Sequence, residues 1–323
     1  MITIRGRNVN ELYYLGVSHV LTHGVMRDTR AGKVREVPWP VMSVYDRPTE
    51  RVLFHPERDA NPFFHLFEAI WMLAGQSNGR FLDQFVGDFT FRFAEPESDG
   101  ELHGSYGHRW RNFFERDQLL EIARILRDNP ADRRVVLQMW DARSDLGVSA
   151  RDIPCNTQVY FRMIGTRLDM TIMCRSNDAV WGAYGANAVH FSVLHEWMAA
   201  AVNADVGMMY QFSNNLHGYI DTLPERHTRS PDMYVTDECA PRPMVKEAVS
   251  FLRECEEFVE WNGAMTPQPK LCNFLDGTAK TALWAHRAWK QRDLKLCMFM
   301  LSKVQARDWR IAMRQWIDRR IQK

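Results

Sequence analysis

The sequence predicts an α+β fold in which helices and strands are mixed. Segments with helical spacing and segments with alternating apolar residues follow one another without a regular βαβ rhythm. The Gly-x-Gly-x-x-Gly loop of doubly wound dinucleotide folds is absent from the sequence. Two strand-like runs meet at Gly165-Thr166, which indicates a hairpin. Because the sequence has no low-complexity linker and no internal repeat, residues 1–323 are expected to form a single domain.

A buried helix is predicted over residues 61–75, NPFFHLFEAIWMLAG, where apolar residues recur at helical spacing. Asn61 is a favourable N-cap, Pro62 is tolerated in the first turn, and Gly75 can end the helix. The same periodicity predicts further helices over residues 117–128, 190–202 and most of 279–323.

Strands are predicted over residues 134–140, 157–163 and 167–174. In the last of these, alternate positions carry the apolar residues Leu168, Met170, Ile172 and Cys174. A sheet with hairpins, packed by helices, is therefore the expected core.

The bulk composition excludes several classes of protein. Lys plus Arg number 41 and Asp plus Glu number 40, so neither a nucleic acid nor a membrane surface is expected as a partner. No stretch approaches the ~18 apolar residues of a membrane span, and no charged-then-apolar leader opens the sequence. The six cysteines form no pair of C-x-x-C motifs, so reduced thiols, a cytoplasmic location and no metal site are expected.

Cys155 follows Pro154 between two predicted strands. An isolated cysteine is more often a small buried hydrophobic residue than a nucleophile. Nucleophilic use requires a lowered thiol pKa, which nearby arginines can supply. The residues alone leave both interpretations open.

Two arginine motifs offer phosphate-binding chemistry. Arg175 and Ser176 end a predicted strand and combine a guanidinium fork with a hydroxyl, which suits a phosphate monoester. Arg133 and Arg134 stand at the entrance of another strand, where they could reach a phosphate, including one bound by a neighbouring subunit. Taken alone, such motifs are more often solvated or salt-bridged surface turns.

Three other side chains are candidates for a site. His217 and Tyr219 are two residues apart on an extended segment, so both point to one side and could donate to a sugar hydroxyl. Glu68 lies inside the apolar helix pattern, where a carboxylate is costly unless it is paired or functional. A structural and a functional role for Glu68 are equally supported.

The order and spacing of these motifs resemble the core of the thymidylate synthase superfamily, which includes nucleotide hydroxymethylases. The P-C, R-S-x-D and H-x-Y motifs follow the family's order over residues 152–219. The interval from Cys155 to Arg175 matches without a gap, and a one-residue insertion near Gly185 brings Asn187 onto the family's base-reading asparagine. The resemblance extends over residues 11–222.

Four upstream motifs carry the remaining likeness: the phosphate loop RDTRAGK with Arg30, the E-x-x-W helix with Glu68 and Trp71, the loop GSYGHRW with Tyr106 and Trp110, and the arginine pair Arg133-Arg134 that this family gives across its dimer.

The resemblance implies a mixed sheet packed by helices, with one sheet face forming the interface of a homodimer that shares its active sites. It implies one-carbon transfer to C5 of a pyrimidine nucleoside monophosphate, with 5,10-methylenetetrahydrofolate as co-substrate. Cys155 would attack C6, Arg175 would favour the thiolate and grip phosphate, and Glu68 would order the water that moves protons.

The implied substrate-binding residues are Arg30, Arg133, Arg134, Ser176, Asp178, Asn187, His217 and Tyr219. The implied folate-binding residues are Trp71, Tyr106, Trp110 and Asp178.

Two departures from the synthases favour hydroxymethylation over methylation. The sequence ends in DRRIQK after a long helical stretch, without the short apolar tail that closes synthase sites, and Asn156 replaces the usual His after the nucleophile. Residues 181–187 depart from the synthase pattern towards the cytidylate 5-hydroxymethylases of phages and of nucleoside-antibiotic synthesis, which favours CMP or dCMP. Asn187 itself does not decide the base, because an amide can present either polarity.

Two alternatives stay open. A true thymidylate synthase or a dUMP hydroxymethylase belongs to the same class. A catalytically silent nucleotide-binding or RNA-binding homologue belongs to another class, although a pure binder needs no thiolate.

Overall fold

The computed structural model describes residues 1–225, 227–235, 239–264 and 269–322. Lys323, which ends the predicted C-terminal segment, lies outside the described residues. The chain divides into two compact units: residues 1–60, 118–142 and 155–232 form the first, and residues 61–117, 143–154 and 233–323 form the second. The single domain expected from the sequence stays a prediction.

The first unit contains two sheets. Its strands, within the described residues, are β1 (Ile2–Gly6), β2 (Val25–Thr29), β3 (Gly32–Glu36), β4 (Val41–Tyr45), β5 (Val136–Gln138), β6 (Asn156–Ile164), β7 (Arg167–Cys174), β8 (Asn177–Asp178), β9 (Asp205–Ser213) and β10 (Leu216–Tyr219). One sheet has the order β1-β4-β9-β7-β6-β5 and the other the order β2-β3-β10-β8. Parallel and antiparallel pairs occur in both sheets, so the predicted α+β fold with a mixed sheet is confirmed.

The α-helices of the described residues are α1 (Val9–His23), α2 (Pro62–Leu73), α3 (Phe89–Phe93), α4 (Tyr106–Arg111), α5 (Gln118–Asp128), α6 (Ala142–Asp145), α7 (Asn187–Ala201), α8 (Ala248–Trp261), α9 (Thr281–Lys290), α10 (Leu294–Lys303) and α11 (Arg307–Ile321). Among them, none combines the length and apolarity needed to cross a bilayer. In the first unit, α7 packs on β7 and β9, and α1 packs on β1 and β4.

The hairpin of β6 and β7 forms as predicted, with Gly165 at a φ of 61° in the turn. The predicted strand over residues 134–140 is shorter, however, and only β5 is formed. It ends there because the backbone N–H groups of Met139 and Trp140 both donate to the carbonyl of Thr157, which breaks the regular ladder.

A π-helical segment, Ala179–Ala186, leads directly into α7. The helix therefore begins at Asn187, three residues before its predicted start. Tyr184 and Gly185 have non-helical dihedral angles inside this segment. An extra residue in a helix is commonly absorbed by such π-type distortion, while the insertion expected near Gly185 stays a prediction.

The central helix of the second unit is α2, which packs against α4, α8 and α11. The Asn61 side chain accepts from the N–H groups of Phe63 and Phe64, at 3.1 and 3.2 Å, so the predicted N-cap is confirmed. At Gly107 of α4, an added Cβ would lie 2.1 Å from the carbonyl oxygen of Met72. Only glycine allows these two helices to approach so closely.

Candidate active site

Cys155 and Arg175 lie side by side because the β6–β7 pairing continues past the ends of both strands. The backbone N–H of Arg175 donates to the carbonyl of Cys155 at 2.8 Å. The Cys155 side chain is partly exposed, whereas burial raises the pKa of the neighbouring Cys174 thiol well above its usual range. Arg175 is exposed and lies 5.7 Å from the ring centre of Trp140. A partly exposed cysteine is therefore paired through the backbone with an arginine, the kind of neighbour that can favour a thiolate.

Three more of the predicted residues belong to the four-stranded sheet or to the turn between its first two strands. Arg30 is exposed in the turn between β2 and β3, and β10 brings Tyr219 onto the same sheet. Burial raises the pKa of Tyr219, Asp178 and Cys155 raise it further, and Arg30 lowers it. The charges of Asp178, Cys155 and Arg30 therefore all act on the Tyr219 hydroxyl.

His217 is held in one orientation by Asn215. Its Nδ1 donates to Asn215 Oδ1 at 2.8 Å, which leaves Nε2 as an acceptor. Burial lowers the pKa of His217, so the ring is neutral near pH 7. The rings of His217 and Tyr219 face one side, 5.4 Å apart, as predicted. Contact of His217 and Tyr219 with a sugar hydroxyl stays a prediction; in this tautomer the Nε2 of His217 would accept from such a hydroxyl.

Asp178, which is predicted to bind substrate and folate, also caps a helical segment. Its carboxylate accepts from the N–H groups of Val180 and Trp181, at 3.2 and 2.8 Å, and so caps the π-helical segment. Trp181 is 58% exposed, and the guanidinium of Arg58 lies 4.2 Å from its ring centre. Burial raises the pKa of Asp178.

Asn187 is half-buried at the start of α7 and is bonded to another amide. Its Nδ2 donates to Asn177 Oδ1 at 3.1 Å. Asn177 Nδ2 donates in turn to Ser213 Oγ at 3.0 Å. The amide expected to contact the base is therefore not free to rotate independently.

The remaining phosphate candidates lie at the surface of the first unit. Ser176 is half-buried, and its carbonyl accepts from the thiol of Cys174. Arg133 is exposed, and so is Arg134, whose guanidinium is held by the carboxylate of Asp132. The phosphate role of both arginines stays a prediction, and Arg134 would have to share or release Asp132 to fulfil it.

Glu68 lies in the second unit, buried on α2 at 8% exposure. Burial, helped by the nearby Asp152 carboxylate, raises the pKa of Glu68 to about 8. Burial also raises the pKa of Asp152, although its hydrogen bond from the Gly104 N–H, at 3.0 Å, lowers it. A carboxyl that is protonated near neutral pH can both donate and accept protons, which supports a functional role for Glu68.

The three aromatic residues predicted for folate also belong to the second unit. Trp71 and Trp110 are 2% and 0% exposed, and Trp71 Nε1 donates to the carbonyl of Asn78 at 2.9 Å. Tyr106 is half-buried at the start of α4. Both tryptophans are therefore core residues that shape their surroundings, and contact with a ligand stays a prediction for all three.

Sequence reasoning missed four residues that position the others: Asn215 behind His217, Asn177 behind Asn187, Asp152 beside Glu68, and Arg58 beside Trp181. Asp152 carried a signal, because a carboxylate three residues before Cys155 opens the matched core. Asn215 also carried one, because it stands two residues before His217 in the same segment. Asn177 and Arg58 carried none, since their partners are fixed only by tertiary contacts.

The chain is similar to known proteins over most of its length. The sequence model of the thymidylate synthase family matches residues 11–256 of this chain. The deoxyuridylate hydroxymethyltransferase of Pseudomonas phage M6 is 40% identical, over 99% of this chain and 95% of that protein. The deoxyuridylate hydroxymethyltransferase of Bacillus phage SP01 is 32% identical over 68% of this chain and 60% of that protein. A putative thymidylate synthase of Methanosarcina acetivorans is 29% identical over 67% of this chain and 88% of that protein.

Proposed function

This chain belongs to the thymidylate synthase family, and we propose that within it the protein is a deoxyuridylate 5-hydroxymethyltransferase. The coarser activity, one-carbon transfer to a pyrimidine nucleotide, follows from the family. The observation that carries the finer proposal is the end-to-end similarity to a phage protein named for this reaction. A match of that extent covers the nucleotide site and the residues around it together.

The nucleophile is proposed to be Cys155. Its thiolate adds to C6 of the pyrimidine and makes C5 nucleophilic, which the uncatalysed ring is not. Arg175, adjacent through the backbone bond, favours the thiolate and can bind phosphate at the same time. C5 attacks the one-carbon unit and stays bonded through it to tetrahydrofolate. Loss of the C5 proton then expels tetrahydrofolate and leaves an exocyclic methylene. Water adds to that methylene as the thiolate leaves C6.

The one-carbon unit is proposed to come from methylenetetrahydrofolate, which supplies carbon at the oxidation level of formaldehyde. The residues of the first unit fit such a molecule. The Asp178 carboxylate bonds two backbone N–H groups and keeps lone pairs for the N–H groups of a pterin. The exposed ring of Trp181 offers a flat apolar face beside it.

Protons are proposed to move through Glu68. Its pKa of about 8 keeps it largely protonated at neutral pH, so it can give a proton to water or to the base and take one back. Asn156, which replaces the usual His, is fully buried opposite Cys174 in the β6–β7 register. The polar environment after the nucleophile thus differs from that of the synthases, in support of hydroxymethylation.

The base is proposed to be uracil, since the two phage relatives are named for deoxyuridylate. The expectation of CMP or dCMP rests on residues 181–187 and stays a prediction that no observation tests. Cytidylate is therefore the competing substrate of the same reaction.

The active form is proposed to be a homodimer. Tyr160 is 39% exposed on one face of the six-stranded sheet, and Met208, Tyr210 and Phe212 are partly exposed along β9. A partly exposed apolar sheet face supports packing against a second copy. Arg133 and Arg134 would then reach the partner's phosphate.

A product assay tests the proposal. The protein is offered dUMP, dCMP, UMP and CMP, each with methylenetetrahydrofolate. The nucleotide product is identified by its mass, and dihydrofolate is followed by absorbance. We expect 5-hydroxymethyl-dUMP without any rise in dihydrofolate.

Each other outcome has a definite meaning. Thymidylate with stoichiometric dihydrofolate would identify a methylase. Faster turnover of dCMP or CMP would establish the cytosine prediction instead. Nucleotide binding without turnover of any of the four would point to a silent homologue.

A further inference from the structure

The exposed indole of Trp181 rests on a buried cation. The guanidinium carbon of Arg58 lies 4.2 Å from the centre of the indole ring, and Arg58 is 8% exposed. Trp181 is 58% exposed, whereas the other ten tryptophans, all of which lie within the described residues, are buried or half-buried. Because the guanidinium covers one face of the indole, the exposed area of Trp181 belongs to the opposite face and the ring edge.

The cation and the indole are held in place by the same short segment. Arg58 Nε donates to the carbonyl of Val180 at 2.8 Å. The Asp178 carboxylate accepts from the N–H groups of Val180 and Trp181, which fixes the backbone that carries the indole. At Gly185, a Cβ would lie 3.0 Å from the Val180 carbonyl oxygen and 3.4 Å from Arg58 Nη2. The segment therefore leaves room for the guanidinium at a residue without a side chain.

The burial of Arg58 does not serve stability. Among the described residues, its Nη2 has no hydrogen-bond partner. Burial lowers the pKa of Arg58, although a guanidinium stays charged near neutral pH. A buried cation whose donors are incompletely paired destabilises a fold, and an apolar side chain of similar size would fill the same space without that cost. An arginine at this place points to a use for its charge and its flat shape.

A fixed indole is a better stacking surface than a mobile one. An exposed tryptophan that changes rotamers freely loses this freedom when another ring stacks on it, and the loss weakens binding. A side chain that is already ordered before the ligand arrives avoids this cost. The contact with Arg58 orders Trp181 from the face that a ligand does not use.

We propose that Arg58 is a positioning residue that holds the open face of Trp181 ready to stack on the pterin ring of the folate co-substrate. The inference rests on the proposed function, in which Asp178 and Trp181 receive the pterin. Arg58 acts through the indole and touches no ligand.

The test combines two substitutions in a double-mutant cycle. Arg58→Met keeps an apolar stem but removes the charge and the flat guanidinium, and Trp181→Leu removes the indole at an exposed position. Arg47→Met is the matched control, because Arg47 is an arginine of the same unit that pairs with Glu50. Calorimetry gives the dissociation constant of dUMP and then, with dUMP present, those of tetrahydrofolate and of tetrahydropteroate, which lacks the glutamate tail.

Arg58→Met is expected to raise the dissociation constants of both folates by about fivefold, because one cation–π contact and the order that it imposes are lost. The dissociation constant of dUMP should not change, and Arg47→Met should change none of the three. Trp181→Leu should weaken the binding of both folates as well. Adding Arg58→Met to Trp181→Leu should weaken it no further, because the arginine acts only through the indole. If Arg58→Met does not fold, Arg58→Lys, which lacks the flat shape and the Nε donor, replaces it in the cycle.

Additive effects of the two substitutions would overturn the inference, and so would unchanged folate binding in the Arg58 variant. Weaker binding of tetrahydrofolate with unchanged binding of tetrahydropteroate would also overturn it, since Arg58 would then contact the glutamate tail itself.

The product assay recognises a failure of the proposed function separately. Non-additive folate binding with a product other than the hydroxymethyl nucleotide refutes the reaction but retains the role of Arg58. The hydroxymethyl product with additive or unchanged folate binding does the reverse.

Discussion

Replacing Glu68 by glutamine removes a carboxyl whose ionisation opposes folding. The pKa of Glu68 is raised from 4.5 to about 8, mainly by burial and also by the Asp152 carboxylate. The folded protein therefore holds a proton on Glu68 over a range of pH in which the unfolded chain has released it. The substituted amide would keep the shape of the side chain but would not titrate.

The sign and size of the effect follow from linkage. Because the folded pKa is the higher one, the stability that Glu68 contributes is full below about pH 4.5 and is lost as the pH rises through about 8. The shift corresponds to at most about 5 kcal/mol. The Glu68→Gln protein should lack this loss. The difference between its free energy of unfolding and that of the wild type should therefore increase, in favour of the variant, as the pH rises.

Urea unfolding measured between about pH 5 and about pH 9 checks the expectation. Met72→Leu is the control, because this neutral change on the same helix should shift the stability without altering its pH dependence. The activity of Glu68→Gln should fall by roughly a hundredfold or more, since a proton-transfer group is lost. Parallel pH curves for the wild type and Glu68→Gln would refute the raised pKa and the reasoning built on it.

Two further predictions concern the nucleophile and the dimer. Cys155→Ala should still bind nucleotide but release no tritium from C5 of the base. The control variant Cys272→Ala, which removes a thiol whose pKa burial raises to about 11, should release tritium normally. Release at the wild-type rate in Cys155→Ala would exclude Cys155 as the nucleophile. Mixing inactive Cys155→Ala and Arg134→Ala proteins should restore about a quarter of the wild-type activity, because half of the dimers are mixed and each of these has one complete site. No recovery despite proven subunit exchange would count against an arginine supplied by the partner.

Features encoded within a few neighbouring residues could be predicted from the sequence. The cap, proline and glycine that bound α2 lie within the helix segment itself, and the β6–β7 hairpin follows from its turn and two apolar runs. The proximity of Cys155 and Arg175 was expected only from the family resemblance; the structure explains it, because the hairpin brings the two backbones side by side.

The features that only the tertiary structure decided depend on residues far apart in the chain. Ser213 is 36 residues from Asn177, and a contact over that distance leaves no periodicity to recognise. The same holds for Glu68, where burial, helped by the Asp152 carboxylate 84 residues further along the chain, raises the pKa to about 8. The sequence by itself determined the α+β fold and the family of the site. Only the packed structure decided the raised pKa of Glu68 and the pairing of Asn187 with Asn177, because they depend on desolvation and on hydrogen bonds that exist only after separate segments have packed together.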